Sequence, residues 1–557
     1  MMKSLGMVQT SLVSGNSSHR HSRMLLACGN DGPVLPTFEQ CQSLLLVLLL
    51  LLASITFAAC GQSSEQRPPK ELRVGIEDQP RTLDPRYATD AYGMRIAHHL
   101  IFSSLVEESY DLQPAPGLAE AWDTPDDTTY VFHLRKNVFF QDGEPLTARD
   151  VKFTFEHVMD PETRSPFAST LRTEIEAIEI VDPYTVKFKL KQPVAPFLSS
   201  IVIPILPEHV LLHQKDQDFS SRLIGSGPFK LVSQSSTEIV LAANERYFGG
   251  MPGVQRLVFK VVTDDNTRFL KMKKGELDLV INALPLDKID EFKRPPLSEM
   301  YRLVEDSGLS YNYLAFNLED SVLRDVRVRQ AIASAINVDE IISYRLNGHA
   351  VRATGVLSPV NSYHERGVAS YSYEPEKATA LLEATGMTDP DGDGPQPRLS
   401  LELKTSNNAQ AIGVARILQA QLAAVGIRLD IRSYEWGTFY GDIRSGNFRM
   451  TTMRWVGIID PDFYYDIFHS SQIPPTGNNR GRYTDPEMDR LLELGRITLD
   501  PVARKAVYSE VQKKAAAELP YISLWHANNI SIIHRRVNGY RQHPTGGFLS
   551  FRDIVLE

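Results

Sequence analysis

Apolar and polar positions alternate with two different periods along this chain, and the change of period divides it. In ELRVGI (71–76), TTYVFHLRKNVFF (128–140) and YTVKFKLKQPV (184–194) apolar residues recur at every second position, the period of a strand with one buried face. Between the last two, TARDVKFTFEHVM (147–159) has helical spacing and begins at a threonine suited to cap it. Residues 92–109 also read as an amphipathic helix, entered from the turn-prone TLDP at 82–85. IGSGPFKLV (224–232) sets two glycines ahead of an alternating run, which predicts a tight crossover with permissive dihedrals. EIVLAANERYFGG and VQRLVFKVV predict further strands and turns, and 264–278 a helix stopped by glycine before a buried strand.

From Tyr311 onwards the helical period takes over. Helices are predicted over 326–346, 376–386, 436–445 and 485–519. In QAIGVARILQAQLAAVGIRLDIRS (410–433) a helix, a glycine stop and an apolar strand follow one another, the signature of an α/β unit. YISLWHANNISIIH (521–534) predicts a closing pair of apolar strands. The chain is thus β-rich in its first half, α/β from about 310 to 524, and closes on strands. At 557 residues it is too long for one simple domain.

Charge and cysteines narrow the chemistry. The net charge is −9; the first 59 residues hold three cations against two acids, which leaves −10 for the remainder. No basic stripe interleaved with aromatics appears, so a nucleic-acid partner is not expected. The cysteines are Cys28, Cys41 and Cys60; nothing beyond Cys60 can form a disulfide, a thiolate metal site or a catalytic thiolate. SLLLVLLLLLASITFAA (43–59) is an uncharged apolar run of 17 residues ending in small residues before Cys60. A cysteine there resembles the bacterial lipoprotein signal. That implies a leader over 1–59, lipidation of Cys60 and a polar tether over 60–70. Phe57 and the distant Arg20 and Arg23 depart from that pattern, and an uncleaved membrane anchor stays open as the alternative.

Few motifs carry chemistry. DPDGDG (389–394) opens like a calcium loop, but the closing ligand position holds Ser400, so a solvated turn is expected. His209 and His213 are four apart with no third ligand nearby. Serine-hydrolase, zinc-protease, P-loop and dinucleotide signatures are absent. RWVGIIDPDFYYDIF (454–468) sets acids among aromatics, and Asp460 with Asp462 could serve acid/base chemistry in an exported hydrolase. No catalytic residue, metal or cofactor is expected otherwise.

APGLAEAWDTPDDTTYVFHLRKNVFFQDGEPLTARDVKFTFE (115–156) closely resembles the signature of bacterial solute-binding family 5, which includes the dipeptide-, oligopeptide- and nickel-binding proteins of ABC importers. RTLDP (81–85), GSGPF (225–229), GELD (275–278), DVRVRQAIASAI (325–336) and YEWGTFYGDIRSGNF (434–448) follow in the family's order. The resemblance implies an α/β, two-lobed type II periplasmic binding fold. Lobe 1 would be 71–113, 224–309 and 526–557, with an extra β-rich subdomain over 114–223; lobe 2 would be 310–525. It implies a monomeric receptor in the cell envelope, lipid-anchored through Cys60, that passes a peptide or other small solute to a membrane permease.

The resemblance also suggests a site. Thr89, Asp90 and Ala91 would face Arg454, Trp455 and Val456, and Tyr311, Tyr313 and Trp436 would wall the pocket, with core packing the alternative for each. Peptide-binding relatives carry an aspartate in a W-x-G/A-D run that grips the ligand's ammonium; here that position is Ile458. Asp90, Asp460 and Asp462 are the candidate substitutes, and TSNNAQ (405–410) offers no cation for a carboxylate. A buried ammonium against Ile458 would be unpaired. A metal chelate, an opine-like compound or an oligosaccharide is therefore the alternative solute.

Overall fold

A computed structural model describes residues 68, 70–212, 219–220, 222–392 and 394–557. The leader with Cys60, His213 and Asp393 of the DPDGDG turn lie outside the described residues. Among the described residues no helix is long and apolar enough to cross a membrane.

One eleven-stranded sheet carries the architecture. At one end Glu71–Ile76 pairs in parallel with Arg256–Val261 and with Leu279–Ile281. Glu238–Ala243 and Phe229–Gln234 extend that end antiparallel. At the other end Leu399–Ser406 pairs in parallel with Ile427–Tyr434 and Met450–Trp455. Two long antiparallel strands, Tyr301–Phe316 and Tyr521–His534, lie between the two parallel sets and belong to both. The helices cover the faces, which is why Glu71–Ile76 is buried at nearly every position.

The cores are separate. Leu72, Val74, Ile76, Phe229, Phe259 and Phe551 pack around the first parallel set, which Ile533 of the last long strand joins. Leu314, Ile332, Leu403, Leu418 and Leu429 pack around the second, which Ile522 and Leu524 of the same strand join. Where the long strands pass from one core to the other their register breaks, between Ser307 and Ser310 and again between Asn312 and Tyr313. Gly308 sits in the first break: a Cβ there would fall 2.5 Å from the Ala527 carbonyl oxygen, so no larger residue fits this close crossing.

A four-stranded antiparallel sheet stands apart, in the order Ala119–Asp126, Thr129–Leu134, Thr185–Leu190, Ile175–Asp182. Its alternation is plain: Tyr130, Phe132 and Leu134 are buried while Thr129, Val131 and His133 are less so. The buried face packs on Ala148–Met159, a helix started by the capping box of Thr147 and Asp150. Phe188 meets Phe132 and Phe155 edge-on at 5.5 and 5.0 Å. Burying each such ring contributes roughly 2–3 kcal/mol.

Four elements differ from the pattern reading. The helix at 92–109 ends at Ile101 after a π-turn, and Val106–Glu108 is a strand. Residues 326–346 break after Ser334 into short pieces. Pro501 splits 485–519 into Pro486–Ile497 and Pro501–Glu518, since it opens a new helix at its first turn. The closing strand pair is one strand of 14 residues; its central HANN carries no turn because Tyr301–Phe316 pairs along it on one side and Ala350–Arg352 holds His526 and Ala527 on the other.

Candidate functional site

Both parallel sets turn their carboxyl ends toward the same region, where open α/β sheets bind ligands. From the first set come Glu77 and Asp78 after Ile76, and Asn282 after Ile281. From the second come Asn407 after Ser406, Glu435 and Trp436 after Tyr434, and Val456 after Trp455. Glu77 links the two. It is half exposed, 4.0 Å from the Arg268 guanidinium. The protein crowded around it pushes its carboxyl up, while Arg268, and Arg454 from the second set, draw it back down.

The residues singled out in the sequence fall into three groups. Trp436 and Val456 are each 55% exposed, and Thr89, Ala91 and Arg454 are exposed as well. Tyr311 and Tyr313 are 1% exposed. They lie on the face of Tyr301–Phe316 that packs, with Ile458, Tyr464, Phe468 and Tyr508, under the helices of 463–518. Ile458 is part of that core and meets no solvent.

The acids form the third group, and each is occupied. Asp90 caps the helix Ala91–Ile96, accepting from the Gly93 and Arg81 amides at 2.8 and 3.1 Å. Asp460 takes Arg504 on both oxygens, at 2.6 and 2.9 Å. Asp462 receives Arg496 Nε at 3.2 Å and the Tyr508 hydroxyl at 3.3 Å. Burial still pushes the Asp462 carboxyl up to about 6, with Arg496 acting against it. None of the three points a free carboxylate at a cationic ligand.

Arg480, which the sequence did not mark, is the group that stands differently. It is 6% exposed and follows the loop after Phe463–Phe468. Its guanidinium carbon lies 4.2 Å over the Trp455 ring and 5.1 Å from the Tyr440 ring, a stacking worth about 1–2 kcal/mol when desolvated. Tyr440 in turn stacks on the exposed Trp436 at 5.6 Å, and Phe463 meets Trp455 edge-on at 5.2 Å. Trp436, Tyr440, Arg480 and Trp455 thus form a ladder from the surface inward. In the sequence Arg480 lies in GNNRGRY, a polar turn with no period, and no pattern separates it from Arg482. Glu77 was equally hidden, as the first residue past a strand. Lys404 is a further cation at this end of the sheet, but Asp442 pairs it at 2.8 Å.

Among the described residues no cluster of three histidines, cysteines or acids could hold a metal. His209 pairs with Asp142 at 2.8 Å.

Comparison with known proteins bears on the same region. The model of the bacterial extracellular solute-binding proteins, family 5 middle part, matches residues 113–474. Di/tripeptide-binding protein 2 of Pseudomonas aeruginosa (strain UCBPP-PA14) is 29% identical over 535 residues, covering 91% of this chain and 97% of its own. The oligopeptide-binding protein AppA of Bacillus subtilis, solved in complex with a nonapeptide, superposes with a TM-score of 0.74 at 28% identity, over 88% of this chain and 100% of that one. NikZ from Campylobacter jejuni, solved in complex with Ni(L-His), superposes with a TM-score of 0.75 at 25% identity over the same shares. The type II periplasmic binding fold follows from these superpositions.

Proposed function

The chain belongs to the bacterial extracellular solute-binding proteins of family 5, and from that premise we propose that it captures a peptide or peptide-like solute for an ABC importer. The observation that carries this is the meeting of two parallel strand sets, carboxyl end to carboxyl end, across two shared long strands. The register breaks near Gly308 and Asn312 would let the sets close on the solute. In this reading lobe 1 comprises 71–113, 224–309 and 526–557, lobe 2 comprises 310–525, and 114–223 is a subdomain of lobe 1. Cys60 would carry lipid, holding a monomeric receptor near its permease. In this reading the solute leaves unchanged; Asp460 and Asp462, the pair that could have served as acid and base, are tied to Arg504 and Arg496.

A second reading has its own support. Ile458 is buried among aromatics, and Asp90, Asp460 and Asp462 are all engaged. A zwitterionic peptide would then find none of these three acids free for its ammonium, which favours a chelate, an opine-like compound or an oligosaccharide. Native mass spectrometry of protein purified without denaturation separates the two. A bound peptide mass supports the first reading and a non-peptide mass the second. Turnover of any bound solute would overturn both.

A further inference from the structure

Residues 114–223 meet the helices of 463–518 beside Ala195. The Ala195 amide donates to the Arg496 carbonyl oxygen at 2.7 Å, joining the turn before Phe197–Ser200 to the last turn of Pro486–Ile497. Side chains meet at the same place. Glu174 ends the helix Ala168–Glu174, is 4% exposed and accepts from the Ser200 hydroxyl at 2.6 Å. Facing it from 463–518 are the Arg496 guanidinium and the Asp462 carboxyl. Arg496 Nε lies 3.2 Å from Asp462 Oδ1, and its guanidinium lies 4.1 Å over the Tyr465 ring.

Two acids thus share one cation. With both ionised, the group carries an uncompensated negative charge where burying charge is costly. Arg504 also acts on Asp462, but it pairs with Asp460 on both oxygens and brings no spare charge. Burial pushes the Glu174 carboxyl up to about 6; Ser200 and Arg496 act against it and Asp462 adds to it. Asp462 is likewise pushed up to about 6, chiefly by burial, while Arg496, Arg504 and the Tyr508 hydroxyl draw it down and Asp460 pushes it further up. The two acids differ in what surrounds them. Asp462 is held by Tyr508 and Arg496, both within 463–518. The charged groups acting on Glu174 come from across the contact.

We infer that Glu174, Arg496 and Asp462 form a proton-operated clasp that holds 114–223 against 310–525 and shuts as the pH falls. The clasp rests on the reading of these segments as a subdomain and a lobe that part and close around a solute. Closing takes Glu174 out of water, and a group that holds its proton more tightly in the closed form favours closing where it is protonated. The contribution of Glu174 is therefore full below pH 4.5 and is lost as the pH rises through about 6. A solute captured in an acid medium is held more tightly than one in a neutral medium.

The test reads the contact itself, on the full chain and without a solute. Hydrogen exchange of the Ala195 amide, corrected for the intrinsic pH dependence of exchange, gives the closing equilibrium. Protection should fall about 8-fold from pH 5 to pH 7.5, as for a carboxyl moved from 4.5 to about 6. In Glu174→Gln, which keeps an acceptor for Ser200, protection should be the same at both pH values. Equal falls in wild type and Glu174→Gln, or no fall in wild type, overturn the inference. So does an Ala195 amide unprotected at every pH. Should Glu174→Gln not fold, Arg496→Met removes the shared cation and keeps the carbonyl that Ala195 binds. The fall should then exceed that of wild type, and an equal or smaller fall overturns the inference. A failed search for a bound solute would count against the solute-binding reading and leave this measurement untouched.

Discussion

Arg504 and Arg480 both border the aromatic segment 454–468, and both are buried, yet the fold treats them oppositely. Arg504 closes a two-pronged pair with Asp460 and donates Nε to the Gly495 carbonyl at 3.1 Å, so every arm of its fork is used. Arg480 lies between two rings, meets only neutral acceptors and leaves Nε unused. The first arrangement is finished within the chain and locks helix Pro501–Glu518 to the loop after Met450–Trp455. The second is held by ring stacking and neutral acceptors, with Asp466 as the nearby acid. Two buried arginines beside one segment are thus stabilised by different means, one by an acid and one by aromatic rings.

Breaking the finished pair should have the largest effect. Asp460→Asn leaves Arg504 buried, at 5% side-chain exposure, opposite a neutral amide. Removing one partner of a buried pair typically costs about 3–5 kcal/mol. Asp460 itself keeps 21% exposure, so a loss of about 3 kcal/mol is expected in urea unfolding. Solute affinity of the folded fraction should stay as in wild type. An affinity collapse with stability intact would make Asp460 a ligand contact and reverse the comparison.

Asp462 sharpens the same contrast through pH. Its carboxyl ordinarily titrates near 3.8 and is pushed up to about 6 in the fold, chiefly by burial. The folded state then holds the proton longer than the unfolded state. Stability from this group is full below pH 3.8 and is lost as pH rises through about 6. Against Asp462→Asn, which has no proton to lose, wild type should weaken by about 2–3 kcal/mol between pH 4 and pH 7. A flat difference across that range would mean that Arg496 fully compensates the burial, making Asp462 a finished pair like Asp460.

How much of this the sequence disclosed depends on whether the cause was local. The period-two runs at 128–140 and 184–194 and the Thr147 capping box are local signals, and the four-stranded sheet with its helix matches them. The strand Tyr301–Phe316 was missed over its first ten residues because YRLVEDSGLS has neither clean alternation nor a hydrophobic run; pairing with His534 through Asn528 holds it extended. The site divides the same way. Trp436, Trp455 and Val456 were legible through the resemblance to the family. That Asp460 and Asp462 are occupied was not, since Arg504 and Arg496 lie more than thirty positions away in the chain. Arg480 could have been noticed only by asking which cation lacks an acid, and only coordinates answer that.

Arg480→Met is the smallest expected change in stability and the most informative for the comparison. The substitution forfeits stacking on Trp455 and Tyr440, about 1–2 kcal/mol at most, and three neutral hydrogen bonds. It also removes a guanidinium held out of water without a counter-charge, which is a gain. Methionine fills the space between the two rings with a flexible apolar chain. These terms offset one another, so the urea midpoint should shift by no more than the equivalent of about 1 kcal/mol. A loss matching that of Asp460→Asn would show Arg480 to be a strut of the same kind as Arg504, its unused Nε satisfied by water, and the distinction between the two arginines would disappear.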